Sequence, residues 1–439
     1  MPVTKEFESI KAHGGINFME RTKRVHYSWW ILAAGFILYF TVQALTMQVM
    51  GLFTKPISEE FDVPRSVFLL HNVALNLGGL IAAPIWGKLL KKYNMQRLMA
   101  FGIVMTGVGF YLTTIAPNIY MLIAAGFFRG VFFIGTTMLP LAMLLTSWFE
   151  EKRGFAMSIM TASAGIGGVV FNPLVQQIIT EYGWRKAELF IAAVVLATTP
   201  IVLLIIRAEP AQKGLKPYGY KEENEQQEQK KAAKPATGYT LKEAAKTPYF
   251  YILLFASFAT TFVAGAMMQL SPYLTDLGYE PMFAAQTVSL LALISIFGRP
   301  LMGVIHDKFK STTAACIFFT SAAVGFLFLS NASNLLFLRV AVVLWAFNSG
   351  ISLIMPPLWT AELFGTKEFA AIVSMTVAMN RFGSMSGGYI IGLLYDITGN
   401  NDLIWPICSA LMVISMGGIV FSLKKMRKQK KEVMAMAMV

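Results

Sequence analysis

Charge is what this sequence has least of. Only 14% of its 439 residues are Asp, Glu, Lys or Arg, against 56% hydrophobic, and mean hydropathy is +0.57. A soluble domain is about one-quarter charged, so composition excludes a water-soluble globule of this length. Cysteine is nearly missing as well. Cys316 and Cys408 both fall within apolar runs, which points away from a disulfide framework and from a thiolate metal site. The four histidines, His13, His26, His71 and His306, follow no ligand spacing, so neither a metal nor another cofactor is expected. No nucleophile with its base and no metal constellation is spaced for catalysis, which argues against a membrane-embedded enzyme. Ten-residue alternating segments are absent, excluding a transmembrane β-barrel. The first apolar run begins only after Arg21, Lys23 and Arg24 and is followed by no small-residue cleavage site, so no removable signal peptide is expected.

What the chain has instead is one long apolar run after another. A bilayer core about 30 Å thick takes roughly 20 apolar residues per helix, and in hydrocarbon the backbone must satisfy itself as helix. Such runs lie near 29–53, 66–86, 98–115, 119–147, 155–180 and 188–206, then near 249–273, 284–305, 313–330, 335–359, 370–394 and 402–423. The expected fold is an all-α integral membrane protein of twelve transmembrane helices in two six-helix pseudo-repeats. Its parts are a tail at 1–28, one half at 29–206, a linker at 207–248, the other half at 249–423 and a basic tail at 424–439.

The net charge of +13 is distributed like a topology signal rather than a nucleic-acid footprint. With the amino terminus inside, the tails and inner loops hold 29 Lys and Arg, and the outer loops hold only Lys55, Arg65, Arg185 and Lys186. By the positive-inside rule both termini face the cytoplasm of a multi-pass cell-membrane protein. No nucleic-acid partner is expected, and the segment "KKMRKQKK" is placed to touch anionic lipid heads. The linker, with mixed charges, Pro, Gly and Gln, reads as mostly flexible. Its end, "TLKEAAKTPYF", predicts a short surface helix capped by Thr240 and stopped before Pro248.

The halves match at one offset of 216 residues. Pro84, Gly87 and Lys92 recur as Pro300, Gly303 and Lys308; Pro140, Ser158 and Gly167 recur as Pro356, Ser374 and Gly383. Internal repeats of this kind mark transporters whose substrate sits near the midplane between the halves. The stretches "TASAGIGGVVFNP" and "NRFGSMSGGYIIG" put small residues at helical spacing, which allows close approach and sliding or, equally, tight static packing.

Four arginines fall within the runs. Arg339 lies near the outer end of its helix and can snorkel to water. Arg129 and Arg381 sit near mid-span, and Arg299 lies about 10 Å deep at ~1.5 Å rise per residue. Each costs at least ~2.5 to 3.5 kcal/mol at such depth. Apart from Glu362, near the inner end of its helix, no acid is placed in any span; Asp276, Glu280 and Asp396 fall at or near outer loops. The expected core is therefore positive without a fixed counter-ion, and its implied partner is a mobile anion. Arginine's planar fork suits a carboxylate. A structural reading stays open beside this one, with the arginines bonded to helix carbonyls and amides. Asn72, Asn76, Gln43, Gln48, Gln269, Asn348 and Asn380 could supply those bonds or line the same cavity.

The segments "WFEEKRGFAMSI", "GVVFNPL" and "YGWRKAELFIA" resemble signatures of the major facilitator superfamily, best those of its monocarboxylate transporter and oxalate/formate antiporter branches. "GLFTKPISEEF", "FGRPLMGVIHDKF" and "GGYIIGLLYDITGN" agree, so the resemblance spans nearly the whole chain. It implies a secondary transporter for a small organic carboxylate, with a proton or a counter-anion as coupling partner. Arg299 matches the helix 8 arginine that binds substrate carboxylate, and Arg381 aligns with the second anion ligand on helix 11. Lys55 resembles an outer lysine used in substrate admission and proton handling. Gly303 with Asp307 and Lys308 matches the loop signature of the inner gate, with Gly87 its counterpart in the first half, although Lys91 stands where that half's aspartate belongs. Animal-type monocarboxylate transporters carry an aspartate one turn before the helix 8 arginine; here that position is Ser295, so the acid of that route of proton coupling is missing beside Arg299. The site expected from all this comprises Arg299, Arg381, Arg129, Lys55, Asn348 and Asn76. An exchanger without proton coupling and a non-transporting carboxylate receptor are the alternatives, and the soluble segments are too short and polar to fold a signalling domain.

Overall fold

Apolar runs without water to bond their backbones become helices, and the computed structural model, which describes residues 26–220, 238–309, 311–365, 367–400 and 403–436, is helical in every spanning element. The first half contains α1 (Tyr27–Glu60), α2 (Arg65–Lys92), α3 (Met95–Thr114), α4 (Ile119–Trp148), α5 (Arg153–Tyr182) and α6 (Trp184–Ile205). The second contains α7 (Pro248–Asp276), α8 (Pro281–Lys308), α9 (Ser311–Leu329), α10 in two pieces (Leu335–Asn348 and Ile351–Phe364), α11 (Phe369–Thr398) and α12 (Ile404–Met436). The expected tail at 1–28 falls mostly outside the described residues, as does 221–237 of the linker.

Ten of the twelve are long and apolar enough among the described residues to cross a bilayer alone. The other two are interrupted or polar for visible reasons. α10 is split at Ser349 and Gly350, and α11 carries Asn380, Arg381, Gly383, Ser384, Ser386, Gly387 and Gly388 in its middle. α4 is interrupted after Phe133 much as α10 is after Asn348. Pro140 and Pro356, one repeat apart, both lie shortly after the break, and neither has an N–H to give the carbonyl four residues back, that of Thr136 or Ser352.

The repeat is visible in element boundaries. α2 and α8, and likewise α5 and α11, start and stop at the 216-residue offset. Each half also builds its own apolar core, one spanning Ile31 to Ile206 with Ala285 added, the other Ala244 to Met426. Gly167 and Gly383 hold equivalent places in those cores. A Cβ on Gly167 would run into the Phe40 carbonyl of α1, and one on Gly383 into the Phe258 carbonyl of α7, so only glycine lets the backbones approach this closely.

The halves meet along α5 with α8 and α2 with α11. Near the face opposite the termini this contact is tight. Ser289 Oγ reaches the Gly168 carbonyl at 3.4 Å, and Arg65 and Ser66 of α2 bond to Asp276 and Asp396 of the other half. Toward the face carrying the termini it loosens, and Ile85, Phe155, Val304 and Met375 are exposed. The contact between the halves is therefore closed on the far face and looser on the terminal face.

Several boundaries differ from the sequence expectation, three of them where charged residues are moved. α1 runs on to Glu60 through a short 3-10 turn at Met50–Phe53. α6 starts at Trp184, capped by Gly183 at φ 81. α12 continues to Met436, so 424–436 is an ordered helix end rather than a loose tail, held where Arg427 Nε donates to Glu362 Oε1 at 2.7 Å. The linker turn forms as expected: Leu241–Ala244 is helical, with a capping box between Thr240 and Glu243.

Candidate functional site

Arg299 comes from the part of α8 that packs against α5 and α10. Its stem lies against Gly350, at the break in α10, and it opens on a cavity of about 320 Å³ lined by Ser158, Thr161, Gly165, Ser295 and Ile354. No carboxylate is among the lining residues. The guanidinium Nε is buried without a hydrogen-bond partner among the described residues. Ser295, one turn earlier in the same wall, turns its hydroxyl back to the Ala292 carbonyl at 2.7 Å. A guanidinium left like this in a low-dielectric wall favours any anion that enters.

Arg381 projects from α11 toward the first half and lines a second cavity, of about 100 Å³, with Asn76, Gly79, Leu80, Ala83 and Gly130. Its Nη2 lies 3.6 Å from the soft sulfur of Met138. Asn76 in the same wall donates to the Asn72 carbonyl at 2.9 Å. The repeat makes a pattern of the two cavities. The first-half equivalent of Arg299 is Ala83, which lines the Arg381 cavity, and the equivalent of Arg381 is Gly165, which lines the Arg299 cavity. One half supplies the cations; the other supplies the room they face.

Arg129 is elsewhere. It lies inside the first half, 1% exposed, with Nη1 3.6 Å from Glu188 Oε2 of α6 and its guanidinium 4.2 Å from the Phe110 ring centroid. Nη2 bonds to His71 Nε2. His71 Nδ1 faces the Leu122 carbonyl at 2.8 Å; a carbonyl only accepts, so Nδ1 carries the proton and Nε2 is free to accept from arginine. This corrects the expectation that the core holds no fixed counter-ion: Glu188 is one, and Arg129 is sealed against it rather than brought to either cavity. The signal for Glu188 was present in Gly183. A helix capped there begins at Trp184 and puts Glu188 one turn inside, whereas a helix drawn from 188 leaves it at the boundary.

Lys55 sits on the far face, 3.6 Å from Asp276, apart from both cavities. Asn348 is 4% exposed and turned into the second half, donating to Ser321 Oγ at 2.7 Å and to the Leu344 carbonyl at 2.8 Å. Gly87 and Gly303 both face open space on the terminal side, and Lys308 is exposed beside them. The side chain of Asp307 lies outside what is described. Arg65, Asp276 and Asp396, which close the far face, were missed by a reading that treated outer-loop charges as topology alone. Among the described residues no group of His, Cys, Asp and Glu could hold a metal ion.

A bundle with this repeat, this interruption of α4 and α10, and a cavity between its halves has close parallels. The family model described as Major Facilitator Superfamily matches residues 31–388. An uncharacterized MFS-type transporter of Escherichia coli (strain K12), YhjX, is 26% identical over 78% of this chain and 82% of its own. Monocarboxylate transporter 12 of Rattus norvegicus is 22% identical over 92% and 87%. Among solved structures, a bacterial homolog of the human lysosomal transporter Spinster, captured inward-facing and occupied, superposes with a TM-score of 0.64 at 15% identity, covering 91% of this chain and 94% of that one. These relatives are transporters and not enzymes, and the chain belongs to the major facilitator superfamily, a multi-pass membrane transporter of small molecules.

Proposed function

We propose that the protein is a secondary transporter of a small organic carboxylate, lactate-like or a short dicarboxylate, working by alternating access across the cell membrane with both termini in the cytoplasm. The observation that carries the reading is Arg299: a half-buried arginine whose Nε is buried without a hydrogen-bond partner among the described residues, facing a cavity of about 320 Å³ between the halves with no acid in its lining. Arg381 adds a second cation facing the same interface. In the empty carrier these charges repel each other and keep the interface hydrated. A bound carboxylate neutralises them and lets the halves close on the terminal side as the far side opens. The similarity to a monocarboxylate transporter supports the substrate class, and the inner-loop excess of Lys and Arg supports the orientation. The basic end of α12 would then lie at the anionic inner leaflet.

Ser295 favours anion exchange over proton symport. Neither cavity has an Asp or Glu in its lining, so the Arg299 wall offers no carboxylate to carry a proton with the substrate. Purified protein in liposomes, offered labelled acetate, lactate, formate, oxalate and malonate with and without a pH gradient, tests both points. Carboxylate exchange unaffected by the gradient is the expected result, and accumulation inside the vesicles separates a carrier from a receptor. Arg299→Lys should slow uptake by at least about tenfold, the worth of one charge-assisted hydrogen bond. Wild-type rates in that variant would remove Arg299 from the site, and uptake confined to sugars or amines would remove the substrate class.

A further inference from the structure

On the far face the halves are joined by a carboxylate of one seated in the cations of the other. Asp276, the last residue of α7, accepts from both ends of the Arg65 guanidinium, Nη1 at 2.7 Å and Nη2 at 2.8 Å. Lys55 Nζ lies 3.6 Å from the same Oδ1 that accepts from Nη2. Arg65 is 9% exposed and stacks 4.1 Å from the Tyr395 ring centroid of α11. Asp396, beside Tyr395, accepts from the backbone N–H groups of Arg65 and Ser66 at 3.1 and 2.9 Å. Next to this cluster a cavity of about 240 Å³ is lined from both halves by Lys55, Glu59, Gln176, Thr180, Ser271 and Thr275.

Ownership of the charges decides what opening does. Lys55 and Arg65 belong to the first half, Asp276 and Asp396 to the second. Any motion that parts the halves on this face carries both aspartates away and leaves the two cations together. The Arg65 fork then has two parallel donors and no acceptor, which is the geometry that takes up a carboxylate. Glu59, on the same wall as Lys55, is exposed to solvent, so its charge is screened in a way the buried fork is not.

We propose that Arg65, assisted by Lys55, is the carboxylate-receiving site of the outward-open carrier, and that Asp276 is a built-in carboxylate occupying it whenever the far face is shut. The proposal rests on the carboxylate reading above. Substrate arriving from the far side and Asp276 compete for one guanidinium. Closure therefore exchanges the external carboxylate for the internal one and frees the substrate to move inward to Arg299 and Arg381.

The test is the apparent KM for labelled L-lactate and oxalate measured separately from each face, in liposomes where protease cleavage of the linker fixes the orientation. Asp276→Asn keeps the shape and removes the competitor; the far-face KM should fall about tenfold, without any fall in the terminal-face KM. Arg65→Gln should raise the far-face KM about tenfold, and Asp276→Asn added to it should change that value less than twofold, because the competition has lost its object. Arg65→Lys, which keeps the charge and loses the fork, gives an intermediate KM and serves if the glutamine variant does not fold. Equal KM shifts on both faces for Asp276→Asn, or an unchanged far-face KM for both Arg65 variants, overturns the proposal alone. A wild-type protein that moves neither lactate nor oxalate overturns the carboxylate reading and this proposal with it.

Discussion

The two six-helix halves treat an arginine within a span in opposite ways. In the first, Arg129 is matched with Glu188 and His71 and sealed from solvent. In the second, Arg299 faces a cavity lined by small and hydroxyl-bearing residues and Arg381 a mostly apolar one, and neither lining holds an acid. The helices align at one offset, so the difference is chemical rather than architectural. It teaches that a charge in a membrane bundle is structural when its partner is in the same half, and available for work when the space beyond it belongs to the other half.

The sharpest way to break that contrast is to unpair Arg129. Glu188→Leu leaves a buried guanidinium uncompensated and should destabilise the protein by about 3 to 5 kcal/mol, read as a large drop in the midpoint of thermal unfolding in detergent. Adding Arg129→Leu should restore most of it. Arg299→Gln and Arg381→Gln should instead leave the midpoint near wild type while transport falls; equal losses of stability in all four variants would erase the distinction. A smaller effect is expected at the helix crossings. Gly167→Ala and Gly383→Ala each force a methyl against a carbonyl and should cost about 1 to 3 kcal/mol, measured by the same unfolding midpoint, while Gly303→Ala, with open space around it, should cost nothing detectable by that criterion.

Converting the open half toward the sealed one is the next step down. Ser295→Asp places a carboxylate in the Arg299 wall. While ionised it competes with substrate, and when protonated it releases the arginine, so uptake by the variant should rise about tenfold as the pH falls, the worth of one charged hydrogen bond, whereas the wild type stays flat over the same range. The smallest effect concerns the linker. The Thr240 backbone N–H holds the Glu243 carboxyl below its usual range, so the capping box persists at neutral pH and weakens only as the pH drops through that lowered value. Thr240→Ala should loosen the Leu241–Ala244 turn by about 1 kcal/mol, visible as faster amide hydrogen exchange there and nowhere in the spans.

Most of the fold was legible because bilayer thickness turns hydropathy into element length, and because the repeat fixes which helices correspond. Legibility failed where a charge lies at a helix end. Glu188 and Lys55 both sat at drawn boundaries, where a shift of a few residues moves a side chain from loop to interior. Arg299 and Arg381 stand out in the sequence because apolar flanks isolate them. Arg65, Asp276 and Asp396 were not, since pairing between segments 211 to 331 residues apart leaves no trace in local composition. Asn348 shows the converse: an amide in an apolar run reads as a cavity residue, yet its nitrogen donates to Ser321 and Leu344 within one half.

The sealed trio also constrains how the chain is made. Arg129 leaves the ribosome 59 residues before Glu188, an interval of roughly 3 to 12 s at ~5–20 residues per second. During that wait the Arg129 cation lacks its carboxylate. His71, synthesised 58 residues earlier, is the neighbour already present. The assembly order of α2, α4 and α6 is thus written into the spacing of three side chains: an imidazole receives the guanidinium first, and the carboxylate arrives to complete the set.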